Sequence, residues 1–158
     1  MDALDKQKFI FGSLFLLANK LQVIGDQHLE SEDMTIKQWF LTVIISQFGS
    51  NSPTLSEVAQ LMGSSRQNVK QLALKLQEKD FLSIEKDDQD ARATRLKLTQ
   101  KSQDFWENRE DKDHKFLGEL FHDFDMEELT LMYKGFNKLL NQIEKMEKSG
   151  VRIQEVEK

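Results

Sequence analysis

Residues Thr54–Lys79 read TLSEVAQLMGSSRQNVKQLALKLQEK, and this stretch decides the fold. Thr54-Leu55-Ser56-Glu57 has the capping-box form, in which a threonine hydroxyl and a glutamate three residues later satisfy free N–H groups at a helix start. Leu55, Val58, Ala59 and Met62 then recur at i, i+3, i+4 and i+7, which predicts a two-turn helix with one apolar face. Gly63 closes it, and Ser64 and Ser65 offer caps for a second helix. In that helix Val69, Leu72, Ala73 and Leu76 share one face, up to about Lys79. Two short helices meeting across a glycine turn form a helix-turn-helix. The first supports the second, whose outer face is free to enter a DNA major groove.

The outer face of the second helix carries the chemistry such a role needs. With Val69 at the centre of the buried side and about 100° per residue, Gln67 and Gln71 point almost directly away from the core. Lys70, Leu74 and Lys75 flank them. A glutamine amide donates and accepts together against the N6 and N7 edge of adenine, while Arg66, Lys70 and Lys75 suit phosphates or a guanine edge. An ordinary solvated helix face has the same residue types, so placement of charge matters. Residues 51–99 carry 8 basic against 7 acidic side chains, whereas the segments on either side are net negative. Between Ser64 and Lys79, four basic residues face the single acid Glu78.

Downstream, Leu82 and Ile84 alternate with polar residues, as do Leu96 and Leu98, which predicts a two-stranded hairpin. The intervening Asp87–Ala93 segment is long enough to project as the tip of a wing. Asp90 and Arg92, two apart in that tip, are expected to pair and aim the guanidinium at a narrow minor groove, with Arg95 on the second strand behind it. Upstream, Ile10, Leu14, Leu17, Leu21 and Ile24 mark one face of a helix from Asp5 to about His28. Phe9, Phe11, Phe15 and Ala18 lie off that stripe, so the helix needs cover on more than one side, and a second subunit is the simplest cover. A second helix follows Thr35 and runs until Gly49. After the wing, Thr99 caps one helix extending through Phe105, Trp106, Phe116 and Phe121 to near Asp123. Asp125 and Glu128 start a last helix through Met146, and the final dozen residues look frayed.

The remaining composition agrees with a mainly α chain bearing a small β-hairpin. One proline and seven glycines in 158 residues are too few for the turns of a sandwich or barrel. No cysteine is present, which removes thiol chemistry and fits a reducing cytoplasmic compartment. The longest apolar run, Phe9 to Ala18, is ten residues and too short to span a bilayer. Asp2 and Asp5 spoil the basic start of a signal peptide. The layout expected is one continuous domain: an N-terminal helix over 1–34 that a second subunit would cover, a winged helix-turn-helix over 35–99 and C-terminal helices over 100–158, whose role in dimerisation is implied only by the resemblance below.

Gln38-Trp39, Leu55-Ser56-Glu57-Val58-Ala59, Ser65-Arg66-Gln67-Asn68-Val69, Asp87 to Arg92 and Leu96-Lys97-Leu98-Thr99 together resemble the MarR family of winged helix-turn-helix regulators. The similarity spans nearly the whole chain in order and spacing. It implies a homodimer shaped by the first helix and the last two, binding pseudo-palindromic double-stranded DNA. It implies DNA-facing positions at Ser65, Arg66, Gln67, Asn68, Lys70 and Gln71, with Arg92 as the wing arginine. Ser64, Lys75 and Arg95 complete the expected DNA surface. It further implies repression relieved by a small aromatic effector, with Phe15, Trp39, Phe40, Phe105 and Trp106 as expected pocket residues. Ala91 stands where many relatives carry a basic residue, and Asp88 replaces a common proline, so the wing tip holds three acids against one arginine.

Other chemistry has less support. His114 and His122 are eight apart on the expected helix, too far to share a metal ion, and no cofactor motif is present. Trp106 to Asp113 reads as a solvated helix face of alternating charge. The sequence has no phosphate loop, nucleophile–base pair or paired carboxylates, so an enzyme is not expected. The alternative to a DNA-binding regulator is a protein-interaction module on the same fold that has lost duplex binding, its acidic wing facing a protein partner.

Overall fold

The computed structural model describes residues 2–150. The chain divides into two compact units, Met1–Lys112 and Asp113–Lys158. The first contains α1 (Ala3–Leu29), a short 3-10 turn (Glu30–Glu32), α2 (Ile36–Ser46), α3 (Leu55–Met62), α4 (Arg66–Glu78), β1 (Leu82–Lys86), β2 (Thr94–Leu98), α5 (Gln100–Asn108) and the start of α6 (Glu110–Leu120). The second holds the remainder of α6 and α7 (Met126–Ser149). A mainly helical chain with one antiparallel hairpin is what the sequence predicts.

Local signals set the helix starts. The hydroxyls of Thr35 and Thr54 and the carboxylate of Asp125 each cap a helix in reciprocal capping boxes with Gln38, Glu57 and Glu128. Gly63 ends α3 at a φ of +65°, a left-handed conformation that favours glycine. Val69, Ala73 and Leu76 are the buried side of α4 and meet Val58, Ala59, Leu41 and Leu96 in the core. The hairpin pairs Leu82 with Leu98 and Ile84 with Leu96, so its apolar residues fall on one face. The Leu96 N–H also donates to the Pro53 carbonyl at 2.9 Å, which ties the chain before α3 to the edge of the wing.

Several expectations are corrected. Of α1 only Gly25 and Leu29 are buried, so its own domain gives the stripe from Ile10 to Ile24 less of the expected cover, and that stripe stays outside the core. The reason is that α2 packs close only near the end of α1. There, a Cβ on Gly25 would lie 2.8 Å from Ile36 Cγ1, so the approach requires glycine. Counted over the whole helix rather than as a contiguous run, α1 is long and apolar enough to cross a membrane by length and composition, contrary to the reading of Phe9 to Ala18. The single helix expected from Thr99 to near Asp123 is two, broken at Arg109, whose backbone leaves helical geometry at φ −108° and ψ 7°. The last helix runs past Met146 to Ser149, which shortens the expected frayed end; residues 151–158 lie outside the described residues.

Candidate nucleic-acid interface

Because Val69, Ala73 and Leu76 take the buried side of α4, the remaining positions must face outward. Ser65, Arg66, Gln67, Asn68, Lys70, Gln71 and Lys75 are all exposed, while Ser64 is half-buried in the turn. The Ser65 hydroxyl accepts the Asn68 N–H at 3.1 Å and so fixes the first turn. A cleft of about 660 Å³ runs between α4 and the hairpin; Arg66, Gln67, Lys70, Leu74 and Gln77 line one side, and Ile84, Thr94 and Leu96 the other. Sequence reasoning missed Gln77 and Thr94. Gln77 was legible, since it follows Lys70 by seven residues and Leu74 by three and so lies on the same helix row.

Two cations counted towards this surface act elsewhere. Lys79 Nζ donates to the Asp33 carbonyl and pairs with the Asp33 carboxylate at 3.2 Å, holding the turn between α1 and α2. The surplus on the outward face therefore rests on Arg66, Lys70 and Lys75. Arg95 pairs through Nε with Asp87 and donates from Nη1 to the Ser52 carbonyl at 2.6 Å. Its guanidinium joins the base of the wing to the segment before α3.

The wing tip is organised by carboxylates. Asp87 accepts the backbone N–H groups of Gln89 at 2.7 Å and Asp90 at 3.1 Å. Those two bonds, with the Arg95 pair, hold the Asp87 carboxyl below its ordinary pKa. The expected Asp90–Arg92 ion pair is replaced by a different contact. Asp90 accepts the Arg92 backbone N–H at 2.9 Å, because the turn brings the main chain rather than the guanidinium to the carboxylate. Arg92 stands exposed at the tip, with Ala91 and the exposed carboxylates of Asp88 and Asp90 near it in sequence.

The aromatics expected around an effector stand on α1, α2 and α5. Phe15 is exposed on α1 and stacks edge-to-face on Phe11 at 5.2 Å. Trp39 and Phe40 lie on α2, also exposed. Phe105 and Trp106 pack edge-to-face at 4.7 Å, and Phe105 meets Phe81 of the core at 5.0 Å. Ser102 Oγ and Trp106 Nε1, one turn apart on α5, are buried with no hydrogen-bond partner among the described residues.

The segment read as a solvated face contains the most buried cation described. Arg109 is 4% exposed; its Nη1 lies 3.0 Å from the Glu32 carboxylate and its Nη2 3.0 Å from His28 Nε2. Lys112 donates to the same Glu32 oxygen at 2.8 Å. Hydrogen bonds from Lys112, Ser31 and Arg109 push the Glu32 pKa down to about 2. No spacing signal marks this cluster, because its members are some 80 residues apart. His122 lies beyond the end of α6, 3.0 Å from the Asp123 carboxylate, and not on one helix with His114 as expected.

No protein-family model matches the chain. Two regulators resemble it in sequence. The transcriptional activatory protein BadR of Rhodopseudomonas palustris is 24% identical over 140 residues, covering 87% of this chain and 80% of that protein. The transcriptional repressor MprA of Escherichia coli K12 is 23% identical over 138 residues, with 87% and 78% covered. Among solved structures, a MarR/EmrR family transcriptional regulator from Acinetobacter sp. ADP1 superposes with a TM-score of 0.72 at 19% identity, covering 89% of this chain and 98% of that one. The Staphylococcus aureus MepR–DNA complex gives 0.71 at 21% identity, with 84% and 97% covered. With its helices and one antiparallel hairpin, the chain has the winged helix-turn-helix fold of the MarR-family transcriptional regulators.

Proposed function

We propose that this chain is a duplex-DNA-binding transcriptional regulator that works in the cytoplasm as a homodimer, represses from a pseudo-palindromic site and is released by a small aromatic effector. The observation that carries the DNA reading is the outward face of α4. Arg66, Gln67, Asn68, Lys70, Gln71 and Lys75 are exposed together on a helix whose other side is locked in the core. Amide and cation groups held on a rigid rod can read base edges and phosphates without first being ordered. Ser64 and Ser65 at the start of the helix and Arg92 at the wing tip complete the proposed surface, while Arg95, engaged by Asp87 and Ser52, braces the wing from behind. The MepR complex with DNA supports the reading, since it has the same fold. One similar protein is named an activator and another a repressor, so the sign of regulation rests on the resemblance of motifs.

Dimerisation is supported by apolar surface that the chain leaves bare. Phe9, Phe11 and Phe15 on α1 are 62–70% exposed. At about 200 Å² per ring they alone offer roughly 400 Å². With Leu4, Ile10, Leu16 and Leu17 this reaches the roughly 800 Å² per partner of a stable interface. In the second unit, Leu129, Met132, Phe136, Leu139, Ile143 and Met146 of α7 alternate at spacings of three and four, a pattern that suits helix-on-helix packing with another copy. The unpartnered donors at Ser102 and Trp106 support an effector site on the inner side of α5.

The test is selection of bound duplexes from a random pool, followed by fluorescence anisotropy. The wild-type chain binds a two-fold symmetric site with half-sites about one helical turn apart. The double variant Arg66→Ala, Arg92→Ala stays folded and loses that binding. Absence of duplex binding even at low salt overturns the reading and favours the protein-interaction module, which the exposed acids Asp88 and Asp90 beside Arg92 recommend as the second choice.

A further inference from the structure

The break between α5 and α6 has little local cause: Asn108, just before it, is the one weak helix former at the site. From Gln100 to Leu120 there is no proline, and the one glycine, Gly118, lies nine residues beyond the break. Position 109 is an arginine, neither the glycine that ends helices nor a Ser, Thr, Asp or Asn that starts them. Asp111 and Lys115 stand at i, i+4, which favours continued helix. A break leaves backbone groups without their helical partners. Here the Arg109 N–H reaches the Trp106 carbonyl at 3.4 Å and the Lys112 N–H the Arg109 carbonyl at 2.9 Å, both three-residue spacings.

What opposes the local preference is the environment of the Arg109 side chain. Its guanidinium lies between Glu32 and His28 at 3.0 Å each and 5.9 Å from the ring centres of both Phe105 and Trp106. Lys112, three residues on, grips the same Glu32 oxygen. Both ends of the irregular turn are therefore tied to the segment just after α1, and a buried guanidinium is too costly to leave without its carboxylate.

We propose that this cluster is a latch: it holds the helix interrupted at Arg109, and its release fuses α5 and α6 into one helix from Gln100 to Leu120. The chain thus has a two-state joint where it leaves α5, biased towards the interrupted state by residues that lie outside both helices. The joint is independent of the DNA reading.

The test uses the full-length chain and backbone NMR on Arg109→Leu and Glu32→Gln. In each, the Cα chemical shift of residue 109, the one position outside both helices, moves to a helical value. Amide exchange at positions 109 and 112 slows by about tenfold as three-residue bonds become four-residue ones. A folded variant whose shifts and exchange at these positions stay at wild-type values overturns the proposal. A merely structural role for Arg109 lowers the melting temperature and does not lengthen the helix. If both variants fail to fold, Arg109→Lys, which keeps the charge but loses the fork, gives the answer: a Cα shift at 109 intermediate between wild-type and helical values supports the latch, and an unchanged shift refutes it.

Discussion

Replacing Lys70 with glutamine keeps a polar side chain but shortens it and removes its charge, so the change in salt dependence of DNA binding reports the charge that Lys70 contributes. Four cations per chain stand exposed on the proposed surface: Arg66, Lys70, Lys75 and Arg92. If each neutralises a phosphate in both protomers, the slope of log K against log salt is about −7, and affinity falls about 10⁴-fold from 50 to 200 mM. Lys70→Gln removes two contacts from the dimer, which brings the slope to about −5 and the loss to about 10³-fold. Lys79→Gln and Arg95→Gln are the internal controls. Both cations are engaged inside the protein, with Asp33 and with Asp87 and Ser52, so both variants keep the wild-type slope even where they cost stability. Fluorescence anisotropy on one selected duplex across this salt range reads all four proteins. The reasoning fails if Lys79→Gln or Arg95→Gln flattens the slope as much as Lys70→Gln, or if Lys70→Gln leaves it unchanged.

Gln67→Ala, checked by rerunning the duplex selection, relaxes base preference at one position in each half-site, at a cost of about 1–3 kcal/mol against the best site. Gly25→Ala forces a methyl group to 2.8 Å from Ile36 Cγ1 and destabilises by about 1–3 kcal/mol, seen as a lower urea midpoint. Glu32, with its pKa pushed down to about 2, contributes stability that is present above the unfolded carboxylate value near 4.5 and is lost as pH falls from there towards 2. Urea unfolding at pH 6 and pH 3 shows that loss in the wild type, of the order of 1–3 kcal/mol after solvent screening, and less of it in Glu32→Gln.

The features legible in the sequence share a physical cause. A capping box, a glycine stop and an apolar period of three and four are interactions among residues within one or two turns, so the pattern and the contact are the same object. That is why α3, Gly63, α4 and the two alternating strands of the hairpin follow directly from the residues. The outward face of α4 was legible for a related reason: its side chains are defined by having no partner in the fold, and elimination from the buried face suffices.

The illegible features are those in which a charged side chain finds its partner far along the chain. Lys79 meets Asp33 across 46 residues, Arg95 meets Ser52 across 43, and Arg109 meets His28 across 81. Each was read as solvated or DNA-facing because a lone cation in a polar stretch has that meaning until its partner is seen. The consequence differs by site. At Lys79 and Arg95 only the assignment of a side chain changed, because backbone bonds already fixed α4 and the hairpin. At Arg109 the distant partners overrode the backbone itself, turning one expected helix into two. A buried ion pair has that leverage where the local alternatives are close in energy, as at a helix position whose competing state differs by a few hydrogen bonds. The same near-balance that hid the break from sequence reasoning makes it a place where a small change in contacts alters backbone conformation.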